Sequence, residues 1–408
     1  MPVCVITSVT SPVRILWVTN VVPWPPYGGV QLRVFNLLIR ILRTHQVTLA
    51  CHSWNDQDDV SARELTRRGI RTFTTPMRRA NWRHALPAFR DALNGTPPEI
   101  AQYWSSNLQT FLARETFDVL QIEETLLTPY ATRLHRPHTK SIVTFHNVQF
   151  AQGRRIAAIE RWPWKRSWRR VNAHWMARYE PAVAARFDGV ISVSEADRDL
   201  LVQASPGLKV EIIPNGVDTR EMPWLSEERR KRAIVFVGSL SYRPCIDAAQ
   251  WLTREILPIL RKDLPDIEVW LVGNLPSREV EALAAEKVFV AGPVTDVRPF
   301  YQRATVAVAP LRAGGGSRLK ILEAMALGRA VVSTTTGAEG LDVHHGDHLL
   351  IADAAEAFAR SIVRLFADDE LRCKLTRQAR RLVEDRYDWD AIAESQLRIY
   401  ENVMATSA

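Results

Sequence analysis

The chain has 408 residues, 46% of them hydrophobic and 24% charged, a length beyond what one hydrophobic core usually serves and a composition that makes no case for disorder. Its four cysteines (Cys4, Cys51, Cys245 and Cys373) form no C-x-x-C pair or regular spacing, which excludes a disulfide framework or thiolate metal cage and suits a reducing compartment. A net charge of +8, from 53 Lys+Arg against 45 Asp+Glu, is a modest excess that favours anionic partners without naming one.

In chain order, the first twelve residues carry no basic residue ahead of a signal-length apolar core, and no window reaches the ~18 to 20 apolar residues of a membrane span. The expected location is therefore cytoplasmic, at most peripheral at the inner face of the membrane. Short β-branched runs at 13–19, 46–51, 119–122, 141–145 and 189–193 alternate with helical stretches, as βα units feeding a parallel sheet do. The pattern restarts at 233–237, 268–272, 288–291, 306–309 and 330–333, with a helix expected over 247–261. Between the two sets lies Ile213-Pro-Asn-Gly-Val-Asp218, followed by the polar run 226–232, and the hinge is placed here. The expected fold class is α/β: two Rossmann-like, doubly wound parallel-sheet domains facing a central cleft at the carboxyl ends of both sets of strands. The domains are assigned to 1–210 and 211–385, and the apolar spacing within 386–408 predicts a final helix that packs back on the first domain.

The most informative segment is Ala313-Gly-Gly-Gly-Ser-Arg-Leu-Lys-Ile-Leu-Glu-Ala-Met-Ala326, a glycine loop running into a helix. A helix starting near Ser317 aims its free N–H groups, and those of Gly314, Gly315 and Gly316, at one point, where a diphosphate is favoured. Gly316, Lys320 and Glu323 fall at i, i+4 and i+7 along one stripe, about 10 Å long at ~1.5 Å per residue, comparable to the reach from a diphosphate to its ribose. Taken alone, the segment also fits an ordinary loop carrying a solvated Lys–Glu surface pair.

With Ile213-Pro-Asn-Gly-Val-Asp218 and Phe236-Val-Gly-Ser-Leu240, this segment resembles the retaining GT-B enzymes of glycosyltransferase family 4. The likeness runs over most of the chain and is strongest from about residue 188 to 339. In the first half it rests on Gly28-Gly29 and on Thr144-Phe-His-Asn147. It implies a nucleotide-sugar donor, a glycan or lipid-linked acceptor and retention of anomeric configuration, with no metal or other cofactor required. Cell-surface glycan, exopolysaccharide or glycolipid biosynthesis is the implied setting. By residue it implies Glu323 on the ribose, Gly28 and Gly29 near the donor phosphates and acceptor, His146 near the reacting centre, and the base close to Gly292 and Val294.

The chain departs from the family pattern at two points. The first of two family glutamates, which touches the donor sugar, is Gly315 here, so sugar contacts fall to backbone amides of residues 314–317 or to other groups. The arginine after the first glycine of the second domain is Ser239; Arg243 stands near the family lysine position, and Arg243 with Lys320 is expected to neutralise the leaving diphosphate. These departures keep two alternatives in view, an epimerase-like enzyme that does not transfer and a nucleotide-sugar-binding protein without turnover.

Three further features remain. Glu123 and Glu124 end a strand, where they can orient an acceptor or simply terminate the element. Ser194 precedes a helix and reads as its cap. Residues 154–170 hold seven Lys or Arg against Glu160, interleaved with Trp162, Trp164 and Trp168. That mixture suits an anionic membrane surface, or a solvated basic helix packing its Trp stems on the domain. No nucleic-acid motif accompanies it, and no nucleic-acid partner is expected.

Overall fold

The β-branched runs of the sequence become strands because most are buried on both faces, as a parallel sheet covered by helices requires, the edge run Val288–Ala291 being the most exposed of them. A computed structural model describes residues 12–26, 28–77, 96–134, 136, 138–160, 162–225, 232–314 and 318–405. The first sheet comprises β1 (Arg14–Thr19), β2 (Gln46–Ser53), β3 (Arg71–Pro76), β4 (Val119–Glu123), β5 (Lys140–Phe145), β6 (Gly189–Ser192) and β7 (Glu211–Ile212). Its order is β3-β2-β1-β4-β5-β6-β7 and all its pairings are parallel. The second comprises β8 (Ala233–Val237), β9 (Glu268–Val272), β10 (Val288–Ala291), β11 (Val306–Ala309), β12 (Ala330–Ser333) and β13 (Leu350–Ile351), in the order β10-β9-β8-β11-β12-β13 and again parallel.

In each sheet the strand order reverses beside the first strand, so each has a crevice at the carboxyl ends of β1 and β4, or of β8 and β11, where ligands of such sheets bind. Both halves are therefore Rossmann-like, as the alternating pattern predicts. Strands β3, β7 and β13 were not among the expected elements; the last two have only two residues each, too short for a periodicity to show. The helix expected over 247–261 runs instead from Arg243 to Asp263, with a wide turn at Leu252–Ile256.

Ser194 is a cap: its hydroxyl oxygen accepts from the Asp197 N–H at 3.1 Å at the start of the Glu195–Ala204 helix. The final helix, Trp389–Ala405, packs Trp389, Ile392, Ile399 and Tyr400 into one core with Ile15, Leu37 and Ile142 of the first half. Two arginines of the Gly29–Ile41 helix tie this crossing together. Arg33, fully buried, donates to the carbonyls of Ile213 (2.9 Å) and Pro214 (2.8 Å) and to Asn215 Oδ1 (3.1 Å) in the connecting segment. Arg40 pairs with Asp218 (2.8 Å) and Asp390 (2.6 Å). Removing either anion leaves a mostly buried guanidinium short of a partner, so these residues fix where the chain passes between halves.

Candidate functional site

The carboxyl end of the second sheet is built from backbone in close approach. A methyl group on Gly273 would stand 1.6 Å from the Gly238 carbonyl oxygen, and one on Gly292 would stand 1.9 Å from that of Gly273. Only glycine fits either position, and the ends of β8, β9 and β10 close into a column joined by Gly238 N–H to Val272 O (2.9 Å) and Gly273 N–H to Ala291 O (3.0 Å). Gly292 therefore lies on this rim, with Val294 two residues on, packed against the core beneath it.

The helix after the glycine loop runs over Leu319–Ala326, two residues later than expected. Arg318 is kept out of it: its guanidinium turns back to the Thr336 carbonyl (3.0 Å), and its backbone is not helical. Gly315, Gly316 and Ser317, the centre of the expected phosphate cradle, lie outside the described residues. Gly314 is described, with a φ of +121° that favours glycine.

Lys320 sends its ammonium back over the Phe236 ring, 4.7 Å from the centroid, to 3.6 Å from Cys245 Sγ. A methyl group on Gly238 would reach within 2.9 Å of that nitrogen, so the cation sits on the glycine rim. Glu323 lies one turn further on. Burial pushes its carboxyl up to about 7, partly opposed by the Lys320 charge. Tyr301 is buried, and its hydroxyl donates to the Lys320 carbonyl at 3.0 Å, fixing the backbone between the Lys320 and Glu323 side chains. Arg243 is placed differently. Its guanidinium pairs with Glu279 at 3.2 Å and reaches the Ile159 carbonyl of the first half at 3.5 Å, so an arriving phosphate would compete with a carboxylate already there.

The first sheet's carboxyl end is built from side chains. His146, at the end of β5, is buried with Nε2 2.5 Å from Glu123 Oε2 at the end of β4. Glu123 is thus the partner that orients the imidazole, and Gln121 in turn hydrogen-bonds Thr144 at 2.8 Å beneath them. Next to it, Glu124 accepts from Asn20 Nδ2 at 2.7 Å. Gly28 caps the Gly29–Ile41 helix, its N–H donating to Gln31 Oε1 at 2.9 Å.

The two rims meet. A methyl group on Gly29 would lie 3.5 Å from Leu319 Cδ1, so the glycine pair of the first half faces the helix start of the second. Gln152 donates to the Tyr242 hydroxyl at 3.0 Å across the same gap. Arg155 spans it too, donating to the Gly314 carbonyl (3.0 Å) and to both oxygens of Glu339, one of them at 2.7 Å. Its helix, Gln149–Ile159, is held by the buried Glu180, which accepts from the N–H groups of Gln149 and Phe150 (both 3.0 Å) and from the Thr125 hydroxyl (2.9 Å). Arg155 was read only as part of a basic surface; it belongs instead to the cleft. Arg155, Arg318 and Glu339 were missed as a group because their association depends on closure of two halves far apart in sequence. Only Arg318, inside the glycine motif, carried a signal of its own.

Known proteins resemble this chain in sequence and in fold. A model described as glycosyl transferases group 1 matches residues 231–368, and one described as glycosyltransferase family 4 matches residues 27–221. A phosphatidyl-myo-inositol mannosyltransferase of Mycolicibacterium smegmatis is 28% identical over 307 residues, covering 72% of this chain and 74% of that protein. The protein of the same description from Mycobacterium tuberculosis is 29% identical, covering 54% of this chain and 61% of its own. Among solved structures, sucrose-phosphate synthase from Thermosynechococcus elongatus superposes with a TM-score of 0.72 at 18% identity, covering 96% of this chain and 99% of that one. Anabaena HepE in complex with UDP and glucose gives 0.67 at 15%, covering 95% and 99%.

Proposed function

The chain belongs to the group 1, family 4 glycosyltransferases of GT-B fold, and on that premise we propose that it moves a hexose from a nucleoside-diphosphate donor to an acceptor hydroxyl with retention of anomeric configuration. The observation that carries the donor reading is the placement of Lys320 and Glu323 one turn apart on a helix whose start faces the Gly28–Gly29 loop. Lys320 and the free N–H groups at that helix start meet the diphosphate, and Glu323 accepts from the ribose hydroxyls. Backbone of the Gly238–Gly273–Gly292 rim lies under the base and phosphates. Negative charge grows on the diphosphate as the anomeric bond breaks, and a cation fixed in advance stabilises it without reorganisation. These groups take the part a divalent ion plays elsewhere, so turnover is expected without added metal.

For retention, the acceptor approaches on the face the diphosphate leaves, and a departing phosphate oxygen takes its proton. His146, held by Glu123, lies beside the anomeric centre in this arrangement and steadies the sugar rather than attacking it. The Arg155 bridge holds the halves together over the donor, which keeps water out. The deciding experiment incubates the protein with UDP-, GDP- and ADP-sugars and a panel of glycan and glycolipid acceptors. Acceptor-dependent release of a nucleoside diphosphate is expected. An isomerised donor with no release would establish the epimerase-like alternative, and binding without either product the non-catalytic one.

A second observation favours a lipid surface as the place of work. On the Pro163–Ala184 helix Trp164, Trp168, Val171 and Trp175 fall at i, i+4, i+7 and i+11 and are 66%, 56%, 50% and 39% exposed. Lys165, Arg166, Arg169 and Arg170 flank them. Indole rings at headgroup depth beside cations fit an anionic bilayer. No helix among the described residues is long and apolar enough to cross one. Co-sedimentation with phosphatidylserine vesicles should fall sharply when the three tryptophans become alanine, and equal binding to neutral vesicles would contradict the role of the cations.

A further inference from the structure

Beside His146 and Glu123, the first half's rim carries groups that the donor does not use. Glu124 adopts φ 76° and ψ 148°, backbone angles that glycine tolerates and other residues enter only under strain. The surrounding structure enforces it: the Glu124 N–H donates to the Thr144 carbonyl at 2.9 Å, and its carbonyl accepts from Leu127 N–H at 3.2 Å. A glycine would meet the same backbone demand with less strain. What a glutamate adds is a carboxylate at the carboxyl end of β4, next to the His146 pair.

That carboxylate has company. Asn20, just after β1, donates its amide to Glu124 at 2.7 Å, while its own Oδ1 is buried with no partner among the described residues. The Asn20 backbone carbonyl accepts from the Trp54 indole N–H at 2.8 Å, which pins an aromatic ring that is 40% exposed. Tyr103 meets Trp54 edge-on at 5.9 Å, and its phenol is pushed up to about 12, mainly by burial and then by the carboxylates of Glu124 and Glu99. A partly exposed ring clamped at its polar edge, an amide oxygen without a partner among the described residues and a carboxylate therefore border one place at the carboxyl ends of β1, β2 and β4.

We infer that Trp54, Asn20 and Glu124 form the acceptor subsite and that it takes an uncharged, hydroxyl-rich six-membered ring, a pyranose or a cyclitol. The C–H face of such a ring lies on the indole, and its hydroxyls donate to the Glu124 carboxylate and to Asn20 Oδ1, both acceptors. A phosphate would meet a carboxylate here and be repelled. Glu124 thus positions the attacking hydroxyl beside the His146 pair, and the backbone strain is retained because glycine cannot supply an oxygen. This inference rests on the glycosyl-transfer reading and names the acceptor's chemistry within it.

The test is saturation-transfer NMR with methyl α-D-mannopyranoside, myo-inositol and inositol 1-phosphate, run on the wild type and on Trp54→Ala, Glu124→Gln and Glu124→Gly. A saturable signal is expected for at least one neutral ring and a weaker one for the phosphate. Which of the two neutral rings binds separates pyranose from cyclitol. Replacing the charged acceptor by a neutral amide oxygen should weaken binding about tenfold in Glu124→Gln. Glu124→Gly should melt no lower than wild type, since it relieves the backbone, yet lose the ring to the same extent. UDP and GDP titrations run alongside should be unchanged in all three variants. No signal with either neutral ring, or binding undiminished in Trp54→Ala and Glu124→Gln, would overturn the inference. A wild type that binds neutral rings but no nucleotide would instead sink the donor reading and leave the subsite standing.

Discussion

The two rims of the cleft are made of different material. On the second half the rim is backbone, where Gly238, Gly273 and Gly292 stack so closely that no side chain fits between strands, and Lys320 and Glu323 are added from a single helix. On the first half it is side chain against side chain across neighbouring strands, His146 on Glu123 and Glu124 on Asn20. A backbone rim suits a ligand part common to many donors, a nucleotide's phosphates and base. A side-chain rim can change its chemistry by substitution without disturbing the sheet, which suits the part of the reaction that varies.

The largest effect should come from spoiling the backbone rim. Gly273→Ala places a methyl group on the Gly238 carbonyl, and unfolding in denaturant should show a loss of about 3 kcal/mol or more. Gly28→Ala, whose nearest neighbour is the movable end of Gln31, should cost about 1 kcal/mol or less. Equal losses would erase the contrast between the rims.

Next is Lys320→Ala, expected to lower turnover about 100-fold with little change in melting temperature, since it removes one preorganised charge from the leaving group. An unchanged rate would mean that the diphosphate lies elsewhere.

A smaller, pH-dependent effect should sharpen the picture of the same helix. Burial raises the Glu323 carboxyl to about 7, above its usual value near 4.5, so the folded state holds a proton that the unfolded state has released in that interval. Its contribution to stability is full below about 4.5 and is lost as pH rises through about 7. Glu180, also pushed up to about 7, adds a slope of the same sign, so the difference between wild type and Glu323→Gln isolates the Glu323 part. Identical pH–stability curves for the two proteins would contradict the burial assigned to Glu323.

The smallest effect on folding belongs to Arg155→Ala. This partly exposed ion pair should be worth about 1 kcal/mol or less, yet its loss should let the halves open, read as a larger radius of gyration in small-angle scattering. Unaltered scattering would show that closure does not depend on this bridge.

The sequence discloses the two rims unequally for the same physical reason. Glycine in a loop after a strand is visible as glycine, and Lys320 and Glu323 are one helical turn apart, so the second rim could be read from spacing. The doubly wound fold follows from runs buried on both faces, although two-residue strands such as β7 and β13 leave no period to find. The first rim joins residues that are distant in the chain. Nothing local marks Glu123 as the partner of His146, 23 positions on, or Asn20 as the partner of Glu124, 104 positions on. The same holds for Arg155, whose bonds to Gly314 and Glu339 exist only because the halves close. Arg33 and Arg40, two cations in a largely apolar helix, are the ties to the connecting segment and final helix.

The central claim is that one helix grips both the phosphates and the ribose of a nucleotide, and calorimetry can test it with a matched pair of ligands. The nucleoside diphosphate that binds tightest among UDP, GDP and ADP is compared with its 2′,3′-dideoxy form, on wild type and Glu323→Gln. Wild type should prefer the natural ribose by about tenfold, the worth of hydrogen bonds to a carboxylate, and Glu323→Gln should lose most of that preference. A preference that survives intact in Glu323→Gln would show that the ribose is held by other groups.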